Sequence, residues 1–214
     1  MHMLEPLTRG PAHATAQAPA VENLPDLLLI ERARSGDRRA IEALVRRSNR
    51  RLYRVARSII PDQSTAEQAV QEAYLAAFAD LTRYQPNGKF AAWLTRLVAT
   101  QAHRVAVAGR ERTMADSGAP ATAAHPLERA VDALPEVFRV VFVLRMVEGI
   151  GGVETAASLD LNETTVRTRL YRAQRRLTTA TGQRLTAVHN LFELSRERGE
   201  RLVQRVLAQL PSGG

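Results

Sequence analysis

The chain has 214 residues, 45% hydrophobic but only 5% aromatic, enough for one large or two small cores built mainly from aliphatic side chains. Lys and Arg outnumber Asp and Glu by 30 to 22, nearly all the cations being arginine, a balance that favours nucleic acid or another polyanion as partner. The absence of cysteine excludes disulfides, thiol catalysis and cysteine-ligated zinc, and no apolar run reaches the length of a membrane span or signal-peptide core, so a cytoplasmic protein without membrane insertion is expected.

Residues 1–23 are rich in Ala, Pro, Thr and Gln and show no apolar period, so they read as a flexible arm or a processing remnant. Leu27 to Ile30 and Ala33 then predict a helix that breaks at Ser35-Gly36. Asp37 caps a second helix, in which Ala40, Ile41, Leu44, Val45, Leu52, Val55, Ala56, Ile59 and Ile60 keep the spacing of a buried face up to Pro61. Between them lie Arg46, Arg47, Arg50, Arg51, Arg54 and Arg57. That run reads most simply as a solvated face, with DNA phosphates or an acidic protein as the other readings. Asp62 to Thr65 is turn and cap chemistry. Ala66, Ala69, Val70, Ala73, Tyr74, Ala77, Phe78 and Leu81 mark a third helix, whose exposed side is expected to hold Glu67, Gln68, Gln71 and Glu72. Such a strip suits a protein partner or ordinary solvent.

Tyr84 to Lys89 is a loop by its Pro-Asn-Gly. Phe90, Trp93, Leu94, Leu97 and Val98 open a fourth helix, with Arg96, His103, Arg104, Arg110 and Arg112 on or just beyond it. Trp93 reads as a core residue before a base-stacking one. Residues 109–126 lack periodicity and form a linker. Leu127 to Leu134 is a short helix or turn. Pro135 introduces a helix carrying Val137, Phe138, Val140, Val141, Val143, Leu144 and Val147, which Gly149 stops.

Val153 to Leu159 is a short helix with Ala156 and Ala157, and Asp160 turns the chain into a helix capped by Asn162. Val166, Leu170, Ala173 and Leu177 form its apolar stripe, opposite Arg167, Arg169, Arg172, Arg175 and Arg176. Thr164, Thr165 and Thr168 lie near its start. Two short helices on a tight turn, the second basic outside, make a helix-turn-helix suited to a DNA major groove. Beyond a break at Gly182, the tail carries Leu185, Val188, Leu191 and Phe192, then a stripe of Leu202, Val203, Val206, Leu207 and Leu210 before Pro211. That stripe needs a surface: its own fold, a partner or a second copy.

The reading is all-α: an arm (1–23), a helical domain (24–108), a flexible linker (109–126), a helix-turn-helix domain (127–181) and a helical extension (182–214). The five histidines (His2, His13, His103, His125, His189) are scattered, and no phosphate loop, metal-ligand spacing or nucleophile–base pair appears. Neither an enzyme nor a cofactor is expected.

Several segments resemble the sigma factors of bacterial RNA polymerase, specifically the extracytoplasmic-function group. Ser35-Gly-Asp-Arg-Arg-Ala40, Ala66 to Leu75, Phe90 to Leu97, and Leu134-Pro135 with Val141 to Gly149 are each similar to family motifs in family order. Glu163-Thr-Thr-Val-Arg-Thr-Arg-Leu-Tyr-Arg-Ala173 matches Glu-Gly-Thr-Val-Lys-Ser-Arg-Leu-x-Arg-Ala almost position for position. Departures include Gln68 for Asp, Thr100 for Asn, Gly152 for an aromatic and Asp160 for the turn glycine.

The resemblance implies binding to core RNA polymerase and to promoter DNA, with an anti-sigma protein as a further partner. It places Glu67, Gln68, Gln71 and Glu72 at the polymerase clamp and Trp93, Arg96, Thr100 and Arg104 at the minus-ten element. Thr164, Thr165, Arg167, Thr168, Arg169 and Arg172 fall at the minus-thirty-five element. A helix-turn-helix regulator working without polymerase, and a sigma-like mimic that sequesters a partner, are the alternative readings.

Overall fold

The computed structural model describes residues 20–85, 89–113, 126–182 and 188–210. The expected arm up to residue 19, Pro86-Asn87-Gly88 of the expected loop, residues 114–125 of the expected linker, Leu185 and Pro211 lie outside the described residues. Only helices and turns occur among those described.

The first unit contains α1 (Asp26–Arg34), α2 (Arg38–Ile59), α3 (Gln63–Ala79) and α4 (Phe90–Thr113). Local chemistry sets the helix starts. Asp37 accepts the amides of Arg39 and Ala40, and Asp62 accepts the Thr65 amide at 2.8 Å and its hydroxyl at 2.6 Å. The Thr65 side-chain and backbone bonds hold the Asp62 carboxyl below its ordinary range. Helix α4 runs to Thr113, past the linker boundary expected at residue 109. Val105 and Ala106 pack on the core and carry the helix through Gly109. Val21–Asn23, expected within the structureless arm, forms a helical turn, and Val21 also touches the core.

The second unit contains α5 (Pro126–Asp132), α6 (Glu136–Phe142), α7 (Gly152–Leu159) and α8 (Glu163–Thr181). The helix expected through Val147 widens after Phe142 into a π-helical turn (Val143–Val147), closed by the Glu148 amide on the Val143 carbonyl at 3.0 Å. Gly149 follows at φ 65°, a left-handed conformation that glycine adopts without steric cost.

The two units are not separate bodies. Val140, Leu144 and Ile150 of the second enter the same apolar core as Leu44, Leu52, Val98 and Ala102 of the first. Ion pairs reinforce that join: Arg54–Glu148 at 2.6 Å, Arg57–Asp132 at 2.8 Å and Arg51–Glu154 at 3.1 Å. Part of the arginine run of α2, expected to face solvent or a foreign polyanion, therefore has an acidic partner within the chain. The C-terminal stripe is buried on the first unit. Helix α9 (Arg196–Gln209), capped by Ser195, packs on α2 and α3 through Leu202, Val203, Val206 and Leu207.

Candidate nucleic-acid interface

Helix α8 is fixed from below by a small cluster of Val141, Ala156 and Val166, and further along by Ala173 and Leu177. The Asn162 side chain accepts the Thr165 amide at 2.7 Å, satisfying one of the orphan donors of the first turn. Asp160 takes φ 54° at the turn between α7 and α8 and so performs the left-handed step that glycine performs more cheaply. Gly152 is not simply a missing aromatic. A Cβ there would stand 3.0 Å from the Glu163 carboxylate, so the glycine leaves room for the acid opening α8.

Thr164, Arg167, Thr168 and Arg172 are exposed on the outer face of α8, whereas Thr165 and Arg169 are half-buried. The Thr168 hydroxyl donates to the Thr164 carbonyl at 2.9 Å, which leaves its oxygen as an acceptor. Further along, Arg175 lies 6.0 Å from the ring centre of Tyr171, itself 59% exposed. The face therefore offers guanidinium groups for base edges or phosphates around hydroxyls near the helix start.

The other expected DNA-contacting set lies on α4. Trp93 is half-buried in a ring cluster, 5.4 Å from Tyr84 and 5.5 Å from Phe90. Its packing fits the core role expected for it. Arg96, Thr100 and Arg104 are exposed. Arg96 bonds the Ala157 carbonyl at 2.6 Å and stands 3.8 Å from Asp160, so it grips the helix-turn-helix. Arg96, Thr100 and Arg169 line one cleft of about 380 Å³ between the units, with His103 and Glu136 paired at its wall at 2.9 Å. Two residue sets expected on separate DNA elements thus meet across this cleft.

The polar strip of α3 is only partly open. Gln68 is exposed, Gln71 is half-buried, and Glu72 is held by Gln68 at 2.9 Å and by Gln101 at 2.5 Å. Glu67, expected on the exposed side, is 7% exposed. Arg198 and Arg205 of α9 hold its two oxygens at 2.5 and 2.7 Å. Sequence reasoning missed both this cover and the carboxylates Asp132, Glu148 and Glu154. The available signal was Arg50, Arg54 and Arg57, which recur at three- and four-residue spacing along one side of α2.

The sigma-70 region 2 family matches residues 44–110, and the sigma-70 region 4 family matches residues 124–177. The ECF RNA polymerase sigma-E factor of Escherichia coli strain K12 is 28% identical over 177 residues, covering 72% of this chain and 92% of that protein. Two solved structures share the fold. CnrH in complex with the cytosolic domain of CnrY has a TM-score of 0.58 at 27% identity, covering 72% of this chain and 95% of that one. The sigma factor RpoE of Bartonella quintana, in complex with the anti-sigma factor NepR, has a TM-score of 0.53 at 20% identity, covering 73% and 93%.

Proposed function

The chain belongs to the sigma-70 family, in its extracytoplasmic-function group, and from that premise we propose which of its residues bring RNA polymerase to promoters. The observation that carries the reading is the pairing of a region 2 match on the first unit with a region 4 match on the helix-turn-helix unit, in family order. Gln68, Gln71, Glu72 and Glu67 are the residues we assign to the polymerase clamp. Arg96, Thr100 and Arg104, with Trp93 bracing their helix, are assigned to the minus-ten element.

Thr164, Thr165, Arg167, Thr168, Arg169 and Arg172 are assigned to the minus-thirty-five element. Arginine at the outer face of a groove-bound helix can bond guanine edges bidentately, while hydroxyls and backbone amides near its start hold phosphate. The work is recognition and positioning without covalent chemistry, done in the cytoplasm beside the polymerase. No described helix is long and apolar enough to cross a membrane. Because a similar chain was solved with an anti-sigma factor, an anti-sigma protein belongs among the proposed partners.

A helix-turn-helix regulator acting without polymerase leaves the region 2 match unaccounted for. Run-off transcription from genomic promoter fragments with purified core polymerase tests the proposal. Promoter-dependent transcripts that need this chain are expected. Core binding without any transcript would overturn initiation and favour a mimic.

A further inference from the structure

Helix α9 lies outside both family matches, since the region 4 match ends at residue 177. Its position is specific. Leu202 is fully buried, and Val203, Val206 and Leu207 are buried beside it, all on the first unit. At the centre of the contact sits Glu67, the carboxylate of the α3 strip assigned above to the polymerase clamp. Arg198 holds one oxygen at 2.5 Å, Arg205 holds the other at 2.7 Å, and Arg198 also bonds Gln63 at the start of α3. The Arg198 guanidinium further lies 5.5 Å from the centre of the Tyr53 ring.

The rim of the contact is tied as well. Glu200 takes a two-pronged bond from Arg46 at 2.5 and 2.7 Å, Asn49 donates to the Gly199 carbonyl at 3.3 Å, and Arg38 donates to the Leu207 carbonyl at 2.6 Å. A basic amphipathic helix has thus been fitted, by apolar face and charge together, to the Glu67 end of the α3 strip.

We infer that α9 is a built-in occupant of the polymerase-binding surface, which core polymerase must displace to reach Glu67. The inference rests on the assignment of the α3 strip to polymerase. Glu67 cannot serve two partners at once: its oxygens are already committed to two cations, and the protein above it blocks approach. Core polymerase and docked α9 therefore compete for one surface. Any change that undocks α9 strengthens polymerase binding, because the binding-competent fraction rises.

The test uses full-length variants altered on α9 or at the rim, away from the α3 strip. Arg198→Glu with Arg205→Glu places two carboxylates beside Glu67 and drives α9 off. Glu200→Arg loosens the rim, and Arg46→Glu added to it restores an ion pair of reversed polarity. Affinity for purified core polymerase is measured for each variant, with circular dichroism as the folding check. The undocking variants are expected to bind about 5- to 150-fold more tightly than the parent, the usual range of coupling between two sites. The Arg46→Glu, Glu200→Arg pair should return towards the parent value. Binding that is unchanged or weaker in folded undocking variants would overturn the inference while leaving the sigma reading intact. Absence of core binding by every folded variant, parent included, would remove both.

Discussion

Arg54 of α2 and Glu148, just beyond the π-helical turn, meet at 2.6 Å with side chains only 6% and 5% exposed, joining the two units through a buried ion pair. The other Arg54 terminal nitrogen donates to the His189 carbonyl at 2.5 Å. Removing one member strands the other charge away from water, which costs about 3–5 kcal/mol. Glu148→Ala, which strands Arg54, should show that loss in urea unfolding, and Arg54→Ala a smaller one, because Arg50 also stands 3.9 Å from Glu148. Replacing both by Met and Leu should recover most of it, because a buried pair exchanged for apolar packing is close to neutral. A double variant as unstable as the singles would mean the pair acts through something other than its buried charges.

A smaller effect is expected at the turn of the helix-turn-helix. Asp160 holds φ 54°, and its contact with Arg96 is a 3.8 Å pair with the carboxylate 88% exposed. An exposed pair of that length contributes little, whereas the left-handed conformation costs a non-glycine residue about 1–2 kcal/mol, less for Asp. Asp160→Gly should therefore raise stability by up to about 1 kcal/mol, and Asp160→Val should lower it. A loss of stability in the glycine variant would show that the Arg96 contact outweighs the backbone term.

Much of the helical architecture was legible in the sequence because helices depend on near neighbours. Asp37, Asp62 and Asn162 were readable as caps, and Val166, Ala173 and Leu177 as a stripe, from spacing alone. The π-helical turn was hidden, since residues 143–147 keep an apolar pattern that an α-helix satisfies as well. The join between the units was hidden for a different reason. Arg57 and Asp132 lie 75 positions apart, and no local periodicity says that an arginine beside an apolar stripe will find its carboxylate there. The same blindness hid the burial of Glu67 under α9. The residues proposed for DNA could be named from the sequence only as two separate sets, and their meeting across the cleft at Arg96, Thr100 and Arg169 was not legible there.

Acid should weaken one contact of the join. Burial works against the charge of Glu154, yet Lys89 at 2.8 Å and Arg51 at 3.1 Å bring its carboxyl below the ordinary value of 4.5. A carboxyl lowered by folding contributes stability that is complete above its unfolded value and drains away as pH falls through the folded one. As pH falls below the ordinary value of 4.5, the contact of α7 with Arg51 and Lys89 should therefore weaken. Urea unfolding followed across that pH range would register the weakened contact as lost stability, while the shared apolar core keeps the units together. Glu154→Gln should already be less stable at neutral pH and respond less to acid. An identical acid response in parent and variant would remove Glu154 from the account.

The outer face of α8 makes the sharpest prediction about DNA. Arg167 and Arg172 are exposed there, while Arg169 is half-buried and lines the cleft against Arg96 and Thr100. If Arg167 or Arg172 bonds a base edge, its change to Ala should cost about 1–3 kcal/mol of promoter affinity and relax selectivity at one base pair. If it holds phosphate, binding should weaken on all sequences, and the slope of affinity against salt should fall by about one. Arg169→Ala should add a second effect, since its side chain also lines the contact between the units. Anisotropy titrations on promoter duplexes at several salt concentrations separate these cases. Unchanged affinity and slope for both Arg167→Ala and Arg172→Ala would place this face away from DNA and overturn the assignment of α8 to the groove.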